Sequence, residues 1–244
     1  MSGITPNPWP ERVAGDPRLE EARIERVGGV VLVGVLHDHP ASTYRVQTVV
    51  DAVDPDVLAL ELPPLAVPLA VHHAADERTP PTFGGEMSAA VQAGDTDRVV
   101  GIDGPSAGFL RYLAAELYAE RAAPATVRRT VEALQSVVAT ALVRRLAAAV
   151  VALTAVELAV EPPTTFDTDR TDDPARQADE ERRRVETAQS MLEAFTSPPE
   201  VAIRRAARER YMADRLAALD ADDAVAVVGQ AHLNAVADSL RDAA

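Results

Sequence analysis

The chain has 244 residues, 47% of them hydrophobic and only 4% aromatic, so it can bury a sizeable core made mainly of small side chains. Its net charge is −14, and all 24 basic residues are arginine, which argues against a nucleic acid partner because phosphate backbones bind basic surfaces. The absence of cysteine excludes disulfides, thiolate metal sites and cysteine nucleophiles.

The acidity has two interpretations. Exposed acidic residues, with arginine in place of lysine, are typical of a salt-adapted, haloarchaeal protein, in which the charge maintains solubility. The alternative is an acidic surface that attracts cationic ligands.

The N-terminal segment, residues 1–25, is a polar lead-in that lacks the apolar stretch of a signal peptide. Together with the absence of disulfides, this predicts a cytoplasmic protein. The longest apolar segment, 146–160, contains Glu157 and is shorter than the roughly 20 residues that a bilayer requires. We therefore expect a buried helix there and no membrane span.

The hydrophobic pattern predicts strands and helices in alternation. Apolar, β-branched runs predict strands at 26–37, 56–62, 97–103 and 224–229, and helical spacing predicts helices at 40–53, 84–95 and 233–242. The segment after Pro63, up to about residue 82, is expected to be irregular. This order predicts an α/β fold with a mainly parallel sheet.

A helical insertion separates the last strand from the others. The pattern over 106–220 is helical, with breaks at Pro124 and at 197–200 and a proline- and aspartate-rich loop at 161–176. The sequence thus predicts a single domain, with an α/β core at 28–103 and 224–242. The insertion would either cover the site or form the interface of a homodimer.

Polar side chains follow each predicted strand, and such groups gather at one edge of a parallel sheet. They are His37 with its neighbours Asp38 and His39, then Glu61, Asp103 and His232. Two of these strand ends carry Gly-x-x-His, as GVLH (34–37) and GQAH (229–232), and the glycine is expected to let the backbone turn sharply. Imidazole and carboxylate ligands suit zinc, manganese, cobalt or iron.

Each candidate also has a structural interpretation that the sequence leaves open. In this interpretation His37 and His232 would cap loops, and Glu61 would be a buried partner of an arginine. Glu86 would only place negative charge at a helix N-terminus, and Arg208 would lie on a solvated helix face. His39 is expected to face solvent, with a third metal ligand as the alternative. His72 and His73 are expected at the surface or in a lid.

These motifs resemble the TraB family, which includes pheromone-shutdown proteins and the animal TIKI proteases. The resemblance covers most of residues 28–242. It rests on GVLH and GQAH, PDVLALEL with its terminal Glu, GGEMSAAVQA (84–93), GID followed by Arg111, and RERYMADRL (208–216).

The resemblance implies a fold related to the erythromycin-esterase and ChaN-like α/β folds, and a metal-dependent peptidase. His37, His232 and Glu61 would hold manganese or cobalt, or else zinc, which activates a water molecule. Glu61 or Glu86 would be the general base, and Arg208 would bind a substrate carboxylate or an oxyanion.

The chain departs from the family pattern at Gly104, Ala207 and Glu209, where the family usually has Arg, Glu and Asp. If these departures abolish turnover, the protein would sequester a peptide without cleaving it. The related folds leave two further alternatives to a peptidase: a hydrolase of a small-molecule ester or lactone, and a haem-binding protein.

Overall fold

A five-stranded mixed sheet organises the residues that the computed structural model describes, which are 15–135, 139, 165–194 and 197–243. The strands are β1 (Ile24–Val27), β2 (Val30–Val35), β3 (Val57–Leu60), β4 (Val99–Gly101) and β5 (Ala224–Gly229). Their order is β1-β2-β5-β3-β4, with β1 antiparallel to β2 and the other three pairs parallel. The predicted α/β class and mainly parallel sheet are confirmed.

Eight α-helices accompany this sheet in the described ranges. They are α1 (Pro40–Val53), α2 (Val67–Ala74), α3 (Gly85–Ala93), α4 (Ala107–Ala119), α5 (from 124, described to 135), α6 (Pro174–Ala194), α7 (Pro199–Ala217) and α8 (Gln230–Ala243). None of the helices searched within these ranges is both long and apolar enough to cross a bilayer. The predicted buried helix at 146–160 lies outside the described residues.

The alternation of side chains along the strands divides the core into two layers. On one face, Val33, Leu58 and Val227 pack with side chains of α1 and α3. On the other face, Leu32 and Ala226 pack with side chains of α7 and α8. All six residues of β5 are buried, because this central strand has a neighbour on each side and helices on both faces.

Two elements differ from the sequence prediction. The predicted strand at 26–37 contains the end of β1 and all of β2, which form a hairpin around Gly28, with a φ of +58°, and Gly29. The segment after Pro63 was predicted to be irregular, but it contains α2. Its prolines misled the prediction, although Pro68 occupies the first turn of α2, where a missing N–H costs nothing.

The C-terminus of α1 offers a test of local backbone strain. Asp54 ends this helix in the left-handed region, with φ +50° and ψ +64°, and its N–H donates to Val50 O at 2.9 Å. That conformation is unfavourable for a residue with a Cβ atom and easy for glycine. We expect Asp54→Gly to raise the free energy of unfolding by about 0.5–1 kcal/mol in urea denaturation. Asp54→Ala, which keeps the Cβ atom, should give no gain, and a loss of stability in Asp54→Gly would contradict this account.

Candidate functional site

The four polar strand ends lie at one edge of the sheet. His37 follows β2, His232 lies in the first turn of α8 directly after β5, Glu61 follows β3 and Asp103 follows β4. Because these strands are parallel and adjacent in the order β2-β5-β3-β4, their carboxyl ends meet as predicted. The side chains form two groups, one around His37 and one around His232.

His37 forms a dyad with Glu86. The imidazole Nδ1 lies 2.6 Å from Glu86 Oε1, and the other oxygen, Oε2, accepts the Asp38 N–H at 2.9 Å. Glu86 is buried at 2% exposure, whereas the His37 side chain is 58% exposed. The carboxylate thus holds the ring through Nδ1 and leaves Nε2 to face a ligand.

A glycine allows this dyad to form. Gly85, in the first turn of α3, has a φ of +54°, and a Cβ atom there would lie 2.2 Å from Asp38 Oδ1. Glycine adopts this positive φ without strain, and α3 therefore begins here with Glu86 next to the loop after β2.

The dyad favours a charged imidazole. The hydrogen bond with Glu86 raises the pKa of His37 from 6.5 to about 9; burial opposes this shift, and the charges of Glu86 and Glu61 add to it. Burial acts to raise the pKa of Glu86, but the hydrogen bond and charge of His37 outweigh it and hold that pKa below 4.5. Because the pKa of His37 is raised on folding, the dyad contributes stability that is complete below pH 6.5 and is lost as the pH rises through 9. Because the pKa of Glu86 is lowered on folding, the dyad contributes stability that is present above pH 4.5 and is lost as the pH falls into the acid range.

The pKa of His37 gives a direct test of the dyad. In Glu86→Gln, the pKa of His37 should fall from about 9 toward 6.5, because the neutral amide no longer stabilises the imidazolium. An NMR titration of the imidazole protons measures this value. Glu209→Gln is the matched control, since Glu209 contacts His232, and it should leave the pKa of His37 near 9. A wild-type His37 that titrates near 6.5 would contradict the dyad.

His232 has a carboxylate partner of its own. Its Nδ1 lies 2.8 Å from Glu209 Oε1, which also accepts from Arg205 Nε at 2.8 Å. The other ring nitrogen, Nε2, lies 3.8 Å from Glu61 Oε1. Both histidines at the sheet edge therefore have Nδ1 against a carboxylate.

Arg208 joins the ends of β3, β4 and β5. Its Nη2 donates to Glu61 Oε1 and to Asp103 Oδ2, both at 2.7 Å, and its Nε donates to Asp103 Oδ1 at 3.0 Å. Its Nη1 lies 3.4 Å from His232 Nε2. The solvated-face alternative for Arg208 is therefore wrong, and the expected pairing of Glu61 with an arginine is present.

The glycines of the two Gly-x-x-His motifs have a role that differs from the prediction. Neither Gly34 nor Gly229 has a positive φ, and both lie within strands, so neither provides a sharp turn. The Gly229 N–H donates to Glu61 Oε2 at 2.5 Å, and a Cβ atom there would lie 3.3 Å from that oxygen. At Gly34 a Cβ atom would lie 2.2 Å from Gln230 Oε1. The motif therefore permits close approach rather than a turn.

His39 was predicted to face solvent, and this is wrong. Its side chain is fully buried, its Nδ1 accepts the Ala41 N–H at 3.2 Å at the start of α1, and its ring lies edge-on to Phe166. Burial lowers its pKa, and Nε2 lies 3.7 Å from Glu180 Oε2. It caps a helix because Pro40 fixes the first helical turn directly after it.

His72 and His73 were predicted to lie at the surface or in a lid. They lie in the last turn of α2, where His72 is exposed and the ring centroid of His73 lies 5.8 Å from that of Phe83.

The donor types at this edge, imidazole and carboxylate, are among those that bind divalent transition metals. Imidazoles that bind metals usually have the other ring nitrogen hydrogen-bonded to a carboxylate, as both histidines do here, and Glu61 supplies a carboxylate beside His232. Within the described ranges, however, no three His, Asp or Glu side chains are arranged as a complete metal-binding group. The guanidinium of Arg208 instead contacts both Glu61 and His232.

Several of the residues predicted from the sequence lie together, and their roles in a site stay predictions. The structure pairs the predicted residues His37 and Glu86, and it brings Glu61, Arg208 and His232 together. The role of Glu209 was missed, because a partner 23 residues before His232 leaves no local signal. Membership of the TraB family stays a prediction. Comparison with models of protein families, with curated proteins and with solved structures finds no match to this chain.

Proposed function

We propose that the chain is a metal-dependent hydrolase of the TraB type that cleaves a peptide or a similar amide. The observation that carries this proposal is the arrangement of His37 and His232, which follow adjacent parallel strands and each have Nδ1 against a carboxylate. Such support orients a ring and makes its free nitrogen a better ligand. His37, His232 and Glu61 are the residues that would hold the ion, as the resemblance implies.

A bound divalent metal would supply a water molecule with a lowered pKa, which can act as a nucleophile near neutral pH. The two candidate general bases differ in what surrounds them. Both oxygens of Glu86 bind the loop after β2 behind His37, which suits Glu86 to positioning the imidazole. Both oxygens of Glu61 are bound as well, by Arg208 and by the Gly229 N–H, but Glu61 lies beside Nε2 of His232. We assign the role of proton acceptor to Glu61 on this position alone.

Arg208 is the group in this proposal that recognises substrate. Its guanidinium has five N–H donors in a fixed plane, and the side chain is 31% exposed at the edge of the sheet. Because Nε and Nη2 already donate to Asp103 and Glu61, a peptide carboxylate or the oxyanion of a tetrahedral intermediate would accept from Nη1.

A substrate panel tests the proposal. The protein is loaded with Mn²⁺ or Co²⁺ in high salt and incubated with quenched fluorescent peptides, simple esters and lactones. We expect peptide cleavage that stops on chelation and returns with metal. Turnover of esters alone would make the protein an esterase, peptide binding without cleavage would make it a sequestering protein, and a Soret band on haem titration would favour haem binding. Each of these three results would overturn the peptidase proposal.

A further inference from the structure

A cleft of about 430 Å³ lies at the other end of the sheet from the strand-end side chains, where β4 begins. Its walls are the C-terminal ends of α2 and α3 and the loop that joins α3 to β4. Apolar and polar side chains share its lining. The apolar ones include Val71, Val91 and Val99, and the polar ones include Gln92, Asp95 and Asp97.

Gln92 has a buried side-chain oxygen without a hydrogen-bond partner among the described residues. Its Nε2 donates to the carbonyl oxygens of Asp76 and Arg78 at 2.9 and 2.8 Å, so both amide hydrogens are used and the orientation of the amide is fixed. Oε1 is therefore held as an acceptor, and a buried acceptor without a donor is unfavourable. Because Gln92 lines the cleft, a ligand bound there can supply the missing donor.

The charges around the cleft favour a cation. Asp95 and Asp97 are exposed, and neither carboxylate forms an ion pair within the described ranges. The neighbouring Arg98 instead donates through Nη1 to Asp220 O at 2.8 Å. Helices α2 and α3 both end at the cleft, and the carbonyl groups at a helix C-terminus carry partial negative charge. Two carboxylates and two helix ends thus give the cleft a negative potential.

We infer that this cleft binds a small organic ammonium ion that carries a short apolar chain. The ammonium group donates to Gln92 Oε1 and to the carboxylates of Asp95 and Asp97, while the chain packs against the valines of the lining. Apolar walls and a volume of about 430 Å³ suit such a ligand better than a metal ion, which needs a close shell of oxygen ligands. The inference concerns a second site and does not depend on the proposed function.

An NMR titration with n-butylammonium chloride at constant ionic strength tests the inference. The signals of the Gln92 side-chain amide and of the backbone amides of 94–99 should shift and saturate. n-Butanol has a chain of the same length without charge, and butyrate carries the opposite charge, so both should bind more weakly by about tenfold or more. Equal binding of n-butanol and n-butylammonium would overturn the inference, because the cleft would then select only apolar surface. Shifts that are absent, or that spread over the acidic surface without saturating, would also overturn it.

Variants of the cleft locate the charge that binds the ligand. Asp95→Asn/Asp97→Asn should weaken n-butylammonium binding by about tenfold or more, because both carboxylates are lost. Asp238→Asn/Asp242→Asn makes the same change of net charge on α8, which packs on the other face of the sheet, and should bind like the wild type. Val71→Arg, at a position that is 43% exposed, places a guanidinium in the cleft and should abolish binding. Wild-type affinity in the first variant, or an equal loss in the α8 control, would overturn the inference.

Discussion

Replacing Glu181 with glutamine should lower the free energy of unfolding by about 3–5 kcal/mol, because it leaves a buried guanidinium without its counter-charge. Glu181 and Arg45 are both fully buried, and Arg45 Nη1 and Nη2 reach the two carboxylate oxygens at 3.1 and 2.5 Å. Burial acts to raise the pKa of Glu181, but the charge of Arg45 outweighs it and lowers that pKa. The carboxylate is therefore ionised in the folded protein at neutral pH.

Urea denaturation at constant ionic strength measures this effect. Glu186→Gln, on the exposed face of the same helix, is the matched control and should change stability by no more than about 0.5 kcal/mol. A loss of less than 1 kcal/mol in Glu181→Gln would show that the pair contributes little net energy, as some buried ion pairs do.

This ion pair also connects the helical region to the candidate site. Ser42 donates to Glu181 at 2.5 Å and accepts the Leu36 N–H at 2.8 Å, while Arg45 donates to the Gly34 carbonyl at 2.9 Å. Helix α6 thereby fixes the end of β2 and the loop that carries His37.

The second large effect is on catalysis. Glu61→Gln should reduce the hydrolysis rate by at least 100-fold, because the amide can neither accept a proton nor supply a negative charge to a metal. The rate is measured under saturating Mn²⁺ on whichever peptide the substrate panel identifies. Equal rates in Glu61→Gln and the wild type would contradict the role of this carboxylate.

Glu116→Gln is the control for this substitution. Glu116, like Glu61, is 8% exposed and pairs with an arginine of α7, but its partner is Arg210 and it lies outside the site. It should keep wild-type turnover. Circular dichroism of both variants separates a loss of chemistry from a loss of folding.

Local patterns in the sequence were sufficient to predict much of the fold. The apolar runs of β2 and β5 and the helical spacing of α1 and α3 depend on residues close in sequence, and the structure confirms these elements. Asp54-Pro55 correctly marked the end of α1. The β1–β2 hairpin was missed because β1 contains the charged residues Glu25 and Arg26, so no apolar run precedes the turn at Gly28 and Gly29.

Partners across long separations could not be predicted. The sequence identified Glu86 and His37 separately, but the contact between them spans 49 residues and depends on how closely α3 approaches the loop after β2. The bridge from Arg208 to Glu61 spans 147 residues, and the pairing of Arg45 with Glu181 spans 136. Periodicity reports which face of an element is buried, but it carries no information about which charged groups meet there.

Metal content tests the central claim most directly. The wild type and the double variant His37→Ala/His232→Ala are purified in high salt, loaded with Mn²⁺ or Co²⁺, freed of excess ion and analysed by mass spectrometry for metal per chain. The account predicts a stoichiometric transition metal in the wild type and its loss in the double variant, with circular dichroism unchanged. A wild type that retains no metal after loading, or a double variant that retains as much as the wild type, would contradict a metal site built on these two histidines.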